Sequence, residues 1–140
     1  MNAYWGDLEY RLGAFISEHE FVVSCMAWLT NERVLAELAK LRYGCQVIVQ
    51  KEDFLRPDRG GSSKNKLQSL YGALRCRVER PRLPGMANLL SYATDPTVQA
   101  IRCMGMVGKG TIPRMHHKFV VGCSVVNANE GLQVQPERVW

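Results

Sequence analysis

Long apolar runs are missing from this sequence. No window approaches the roughly 20 apolar residues that a helix needs to cross a bilayer, and the longest apolar stretches, residues 21–29 and 119–126, already contain polar or small residues. The first residues lack the basic segment followed by an apolar segment that marks a secretory signal. The sequence therefore predicts a cytoplasmic protein with no integral membrane segment.

Several metal-binding and nucleotide-binding signatures are missing as well. The five cysteines include no CxxC pair, and four of them lie among apolar neighbours, as small core residues do. A zinc site drawn from Cys103, His116, His117 and Cys123 would lack paired knuckle spacing. The glycines of residues 105–110 are too irregular for a Rossmann or P-loop fingerprint, and no GxSxG nucleophile elbow occurs. We expect reduced, mostly buried thiols, no metal and no cofactor.

The composition is that of a globular domain with a basic charge balance. The chain has 140 residues, 46% of them hydrophobic and 22% charged, which excludes a disordered or fibrous protein and fits a single domain. Eighteen Lys and Arg against thirteen Asp and Glu give a net charge of +5. Such a balance favours anionic partners, either nucleic acid or phospholipid head groups.

The first fifty residues have the pattern of an α/β fold. Apolar residues at helical spacing predict a helix over residues 5–18, and a continuous apolar run predicts a central strand over 21–28. Thr30 or Asn31 can cap a helix over residues 31–41, which has Gly44 just beyond its end. A strand over 45–50 follows. Strand, helix and strand in this order predict parallel pairing through a right-handed crossover.

The middle of the chain is more polar. Residues 56–66 are basic and rich in Gly and Ser, which predicts a mobile surface loop that could contact anions. A short helix is expected over residues 67–74 because its apolar residues share one face. Residues 98–104 have the pattern of a further strand.

The last part of the chain predicts a long strand and a polar tail. The strand is expected over residues 115–126, and residues 127–135 are expected to form a polar turn region. Val139 and Trp140 resemble the opening of a strand whose continuation is missing, because chain ends are usually polar. We therefore expect one domain, residues 1–140, that lacks its C-terminal part.

Reactive side chains are concentrated in the segment around Lys118. Strand alternation places His116 and Lys118 on one face and His117 with Phe119 on the other. An imidazole can attack phosphorus or relay a proton, and an ammonium can neutralise phosphate oxygens, so the pair suits phosphoryl chemistry. Arg114 precedes the strand and could add a phosphate contact. The alternative is a strand end with a surface lysine and histidines that only satisfy hydrogen bonds.

These residues resemble a known family. His116-His117-Lys118 followed by Phe119 is similar to the HxK part of the HxKxxxxD signature of the phospholipase D superfamily, whose members hydrolyse or transfer phosphodiesters in lipids and nucleic acids. The succession of helix, strand, helix and strand over residues 5–50 is also similar to small phospholipase D-like domains. The resemblance implies a half-domain of α/β class, with a mixed, mostly parallel sheet flanked by helices.

The resemblance also implies a mechanism and a site. His116 and Lys118 would be the catalytic residues of a metal-independent phosphodiesterase or nuclease that forms a phosphohistidine. A second histidine would come from another copy of the motif, so catalysis would require a homodimer. Arg114, Lys64 and Lys66 are expected to contact the substrate, which we expect to be nucleic acid rather than phospholipid.

Two departures from the family pattern support an alternative function. Cys123 stands where the signature has aspartate, and the Gly-Ser-x-Asn segment that follows the HxK strand in the family is missing after Trp140. A catalytically inactive, truncated module that binds phosphodiesters or a protein partner is therefore the second hypothesis. Aromatic residues are scattered and not interleaved with basic residues on one strand, so no stacking platform for single strands is predicted.

Overall fold

The structure, a computed structural model, describes residues 6–50, 62–78, 100–104, 116–129 and 131–140. Within these ranges the chain forms three helices and five strands. The helices are α1 (Leu8–Ser17), α2 (Glu32–Lys40) and α3 (Ser62–Gly72), and the strands are β1 (Phe21–Met26), β2 (Gly44–Gln50), β3 (Ile101–Met104), β4 (Lys118–Ala128) and β5 (Gly131–Val139).

The strands form one mixed sheet in the order β3-β2-β1-β4-β5. β1, β2 and β3 are parallel, whereas β4 pairs antiparallel with β1, and β5 pairs antiparallel with β4. The predicted α/β class and the predicted strand–helix–strand unit are both confirmed. The strand predicted over residues 98–104 is confirmed for Ile101–Met104, which extends the parallel part of the sheet beside β2.

Of the two residues predicted to cap the crossover helix α2, the structure selects Asn31. The side chain of Asn31 accepts a hydrogen bond from the backbone N–H of Val34 at 3.0 Å, which satisfies one of the unpaired donors of the first turn. Gly44, expected to end this helix, instead opens β2 with a φ of 84°. A Cβ atom there would overlap the carbonyl oxygen of Arg75, so glycine is required by both backbone conformation and close approach.

The core lies mainly on the helix-covered face of the sheet. Side chains from all three helices pack there against alternate residues of β1 and β2, among them Val22, Val47 and Val49. The opposite face carries a smaller cluster formed by Phe21, Val78 and Cys123. The main cluster contains Phe15, Ile16, Val22, Leu29, Val34, Leu35, Leu38, Cys45, Val47, Val49, Tyr71, Leu74, Ala100, Ile101 and Val120.

The buried cysteines were predicted correctly. Cys25, Cys45 and Cys123 are buried free thiols, and Cys76 is a partly buried one. Burial raises the pKa of Cys45 to about 12 and raises the pKa of Cys25, because removal from water disfavours the thiolate. These side chains act as small apolar core residues at neutral pH.

The predicted loop over residues 56–66 was wrong at its end. α3 begins at Ser62, several residues before the predicted start at Leu67. Leu67, Leu70 and Tyr71 pack into the main core, and the Tyr71 hydroxyl donates to the carbonyl oxygen of Leu29 at 2.6 Å. Tertiary packing of this apolar face stabilises the helix, and its first turns carry the polar residues that suggested a loop.

The predicted polar tail was also wrong. Residues 127–135 belong largely to a β-hairpin, in which β4 continues to Ala128 and β5 begins at Gly131. Leu132 and Val134 are partly buried and alternate with exposed glutamines, a strand pattern that the polar composition obscured. Val139 ends β5 and does not open a new strand, and the backbones of Trp140 and Val120 exchange hydrogen bonds at 2.7 and 3.2 Å.

Candidate functional site

The predicted reactive segment lies at the carboxyl edge of the parallel strands. β4 runs antiparallel to β1, so its first residue, Lys118, stands opposite Met26, the last residue of β1. His116 and His117 precede β4 and therefore lie at the same edge. Ligands of open α/β sheets bind outside the carboxyl ends of the strands, so the segment occupies the part of the fold where such sites form.

The indole of Trp28 contacts both candidate catalytic side chains. Trp28 follows β1 in the chain. The centroid of its ring lies 5.4 Å from that of the His116 imidazole, and the two rings are nearly perpendicular, at 86°. The Lys118 Nζ lies over the same indole, 5.7 Å from its centroid. His116 and Lys118 thus meet at one aromatic surface, and Trp28 itself is 44% exposed.

The register assigns faces to the residues of this strand. Lys118 and Val120 pair with Met26 and Ser24, which share the helix-covered face of β1 with Val22. Phe119 lies on the opposite face, where it is 40% exposed. His116, His117 and Lys118 are all exposed, so an anionic ligand from solvent can reach them without displacement of the core.

The Lys118 ammonium retains capacity to bind an anion. It donates one hydrogen bond, to the carbonyl oxygen of His116 at 3.2 Å. Within the described ranges, no carboxylate forms an ion pair with it. An ammonium has three donors, so this contact leaves donors for phosphate oxygens.

The other predicted substrate contacts are not joined to this pair. The Lys66 Nζ forms an ion pair with the Glu32 carboxylate at 2.5 Å, which ties α3 to the first turn of α2. No contact among the described residues links Lys66 to His116 or Lys118. Arg114 and the Lys64 side chain lie outside the described residues.

Cys123, at the position where the resembled signature has aspartate, is a buried residue. Its side chain is 1% exposed and belongs to the cluster on the face opposite Lys118. Burial and the nearby charge of Glu137 raise the pKa of the thiol, although a hydrogen bond with the Val23 backbone opposes them. Cys123 is therefore a neutral core thiol that donates to the carbonyl oxygen of Val121 at 3.6 Å.

The described parts of the chain contain neither a metal-ligand cluster nor a membrane-spanning helix. Among those residues, no three His, Cys, Asp or Glu side chains come together in a group that could hold a metal ion. No helix within the same ranges is long and apolar enough to span a membrane.

Trp28 is the site residue that sequence reasoning missed. It is far from His116 and Lys118 along the chain, and only the pairing of β1 with β4 brings them together. The sequence feature that could have identified Trp28 is its position just beyond the carboxyl end of a predicted central parallel strand, where the ligand sites of α/β proteins form.

Comparison with known proteins gives one viral relative. The uncharacterized protein L381 of Acanthamoeba polyphaga mimivirus is 28% identical to this chain over 126 residues, which cover 89% of the chain and 42% of the viral protein. The chain thus spans less than half the length of this relative. No family model matches the chain. No solved structure matches it either.

Proposed function

We propose that this protein is a phosphodiesterase of the phospholipase D-like type. The observation that carries the proposal is the convergence of the His116 imidazole and the Lys118 ammonium on the Trp28 indole at the carboxyl edge of the sheet. A nucleophile and a phosphate-binding cation are the two groups that this chemistry requires, and both are accessible to solvent.

In the proposed reaction, the imidazole of His116 attacks phosphorus. The phosphorus–nitrogen bond forms as the bond to the ester oxygen breaks, and a second histidine protonates the departing alkoxide. Water then attacks the phosphohistidine and gives up a proton to that second histidine, which releases a phosphomonoester and restores His116. Lys118 neutralises the non-bridging oxygens as charge develops on them.

The second histidine is proposed to come from another copy of the chain. His117 directly follows His116 in the chain and, like it, precedes β4. In the family that the sequence resembles, the second histidine is supplied by another copy of the motif. A symmetric homodimer would place two copies of His116 across one phosphate. We favour nucleic acid as the substrate because the chain carries a net charge of +5. The free thiols fit a reducing compartment, so we also propose a cytoplasmic location.

The second candidate function is a binding module without turnover. The observation that favours it is Cys123, a neutral buried thiol on the face opposite Lys118, at the position of the family's acid. Such a protein would retain Lys118 as a phosphate contact but lack the group that supports the histidine. It would bind phosphodiesters with a salt-dependent affinity and release them unchanged.

One experiment separates the two functions. Fluorescently labelled single-stranded DNA is incubated with the protein in EDTA, and cleavage is followed beside the variants His116→Ala and Lys118→Ala. The matched control is His117→Ala, which removes the neighbouring exposed imidazole. We expect cleavage by the wild-type dimer, a loss of at least about a hundredfold in His116→Ala, and little change in His117→Ala.

The outcomes are read together with the oligomeric state from light scattering. Binding without cleavage in all four proteins establishes the binding module and refutes the enzyme. Cleavage that His116→Ala leaves unchanged also refutes the proposed nucleophile. The slope of log affinity against log salt should fall by about one in Lys118→Ala under either function, because one phosphate contact is lost.

A further inference from the structure

We infer that Trp28 forms a nucleobase subsite beside the phosphate-binding Lys118, so that the site takes single-stranded nucleic acid. Base–aromatic stacking is the interaction by which single strands are held without regard to sequence. The inference deepens the proposed function and rests on it for the role of Lys118 as the phosphate contact.

The spacing between Lys118 and Trp28 matches the size of one nucleotide. The Lys118 Nζ lies 5.7 Å from the centroid of the indole. A base and its phosphate are joined by a single sugar, so one nucleotide can place its phosphate on the ammonium and its base on the aromatic ring. The imidazole of His116, 5.4 Å from the same ring, then lies next to the phosphate of that nucleotide or of its neighbour.

Trp28 is a large aromatic side chain with 44% of its surface in solvent, at an edge where the Lys118 ammonium also lies. A stacked base would remove part of this apolar surface from water. Tyr10, which is 53% exposed and has the Arg33 guanidinium 3.9 Å above its ring, offers a similar pair of groups on α1 and α2, and no contact among the described residues links it to His116.

The positive charge beside Trp28 favours a nucleotide over a choline phospholipid. An indole can also bind the quaternary ammonium of a choline head group through a cation–π contact. Lys118 already places a positive charge over the Trp28 ring, and a second cation there would be repelled. A neutral base joined to an anionic phosphate suits this arrangement, because each part meets a group that attracts it.

The test measures the contribution of the bases to binding. Fluorescence anisotropy gives the Kd of the wild-type protein in EDTA for an oligothymidylate of about ten nucleotides and for an abasic strand of the same length with the same phosphates. Wild type is compared with Trp28→Ala, with Trp28→Phe, and with Tyr10→Ala as the matched control. Circular dichroism confirms that each variant is folded, and a gel confirms whether the strand stays intact.

We expect the wild type to bind the thymidylate about tenfold more tightly than the abasic strand, which corresponds to about 1.4 kcal/mol. Trp28→Ala should lose this preference while its affinity for the abasic strand stays unchanged. Trp28→Phe should retain part of the preference, and Tyr10→Ala should retain all of it.

Three results would overturn the inference. Equal weakening for both strands in Trp28→Ala would mean that the indole only supports Lys118. If Tyr10→Ala loses the preference for the thymidylate as Trp28→Ala does, any exposed aromatic ring beside a cation would be enough to bind a base. Trp28-dependent binding to phosphatidylcholine or phosphatidylglycerol vesicles, without preference for bases, would assign the ring to lipid. A Trp28-dependent base preference without cleavage would uphold the subsite and refute the hydrolase.

Discussion

Replacement of Gly122 by alanine should reveal how tightly α1 packs against the β4–β5 hairpin. Gly122 lies in β4 directly over the His19 ring, and an added Cβ would overlap three atoms of that imidazole. The His19 side chain is only 2% exposed. Its Nδ1 donates to the carbonyl oxygen of Phe15 at 2.7 Å, and its ring centroid lies 4.6 Å from that of Phe15. Burial and these two contacts oppose displacement of the imidazole by an added methyl group.

The magnitude follows from two opposing effects. Overpacking of a buried site costs about 1–3 kcal/mol, whereas glycine to alanine in a strand gains about 0.5–1 kcal/mol from the unfolded chain. We expect Gly122→Ala to lower the free energy of unfolding by about 1–2 kcal/mol. In a His19→Ala background the ring is absent, so the same change should raise the free energy of unfolding by about 0.5 kcal/mol. The coupling between the two positions is then about 2 kcal/mol, as expected for residues in contact.

The assay is urea denaturation of the four proteins of this cycle, followed by circular dichroism and analysed by linear extrapolation. Gly72→Ala is the control, because a Cβ at this exposed position of α3 meets no atom within 4 Å. It should raise the free energy of unfolding by about 0.5 kcal/mol. If Gly122→Ala stabilises as Gly72→Ala does, or has the same effect with and without the His19 ring, the steric reasoning is refuted.

Three further predictions concern the strand–helix–strand unit. Gly44→Ala should lower the free energy of unfolding by at least about 3 kcal/mol in urea titrations, because it combines a φ of 84° with overlap on the Arg75 carbonyl, and a smaller loss would contradict this. Asn31→Ala should cost about 1 kcal/mol, and Asn31→Ser should restore most of it, because the lost group is the hydrogen-bond acceptor for the first turn of α2. The pKa of Cys45 is raised from 9.0 to about 12, so between these values the unfolded chain binds fewer protons than the folded one and stability falls as pH rises. The free energy of unfolding of the wild type should fall more steeply with pH than that of Cys45→Ala, by up to about 1.4 kcal/mol per pH unit. Equal slopes for the two proteins in urea titrations from pH 9 to 12 would show that the thiol titrates alike in the folded and unfolded states.

Local patterns were sufficient where the signal repeats along the chain. The apolar spacing of α1, the Asn31 cap of α2 and the apolar run of β1 are each signals contained in a few consecutive residues. The predictions failed where long-range contacts decide where a helix or strand begins. α3 depends on an apolar face that packs against the main core, and β5 depends on its pairing with β4, so neither boundary is visible in a local window.

The features of the candidate site were likewise predictable only where they depend on local sequence. The chemical types of His116 and Lys118 and their separation by one residue were readable from the sequence, because strand alternation is a local rule. The position of Cys123 relative to the family signature was readable too. Its burial on the opposite face was not, because it depends on the register between β1 and β4.

The α/β class, the strand–helix–strand unit and the two side chains that suit phosphoryl chemistry could be read from the order of the amino acids. The contacts of Trp28 with both of these side chains, and the pairing of Lys66 with Glu32, could be read only from the folded chain. The physical reason is that side-chain type and periodicity are written along the chain, whereas proximity between distant residues arises only when strands pair and helices pack around a shared core.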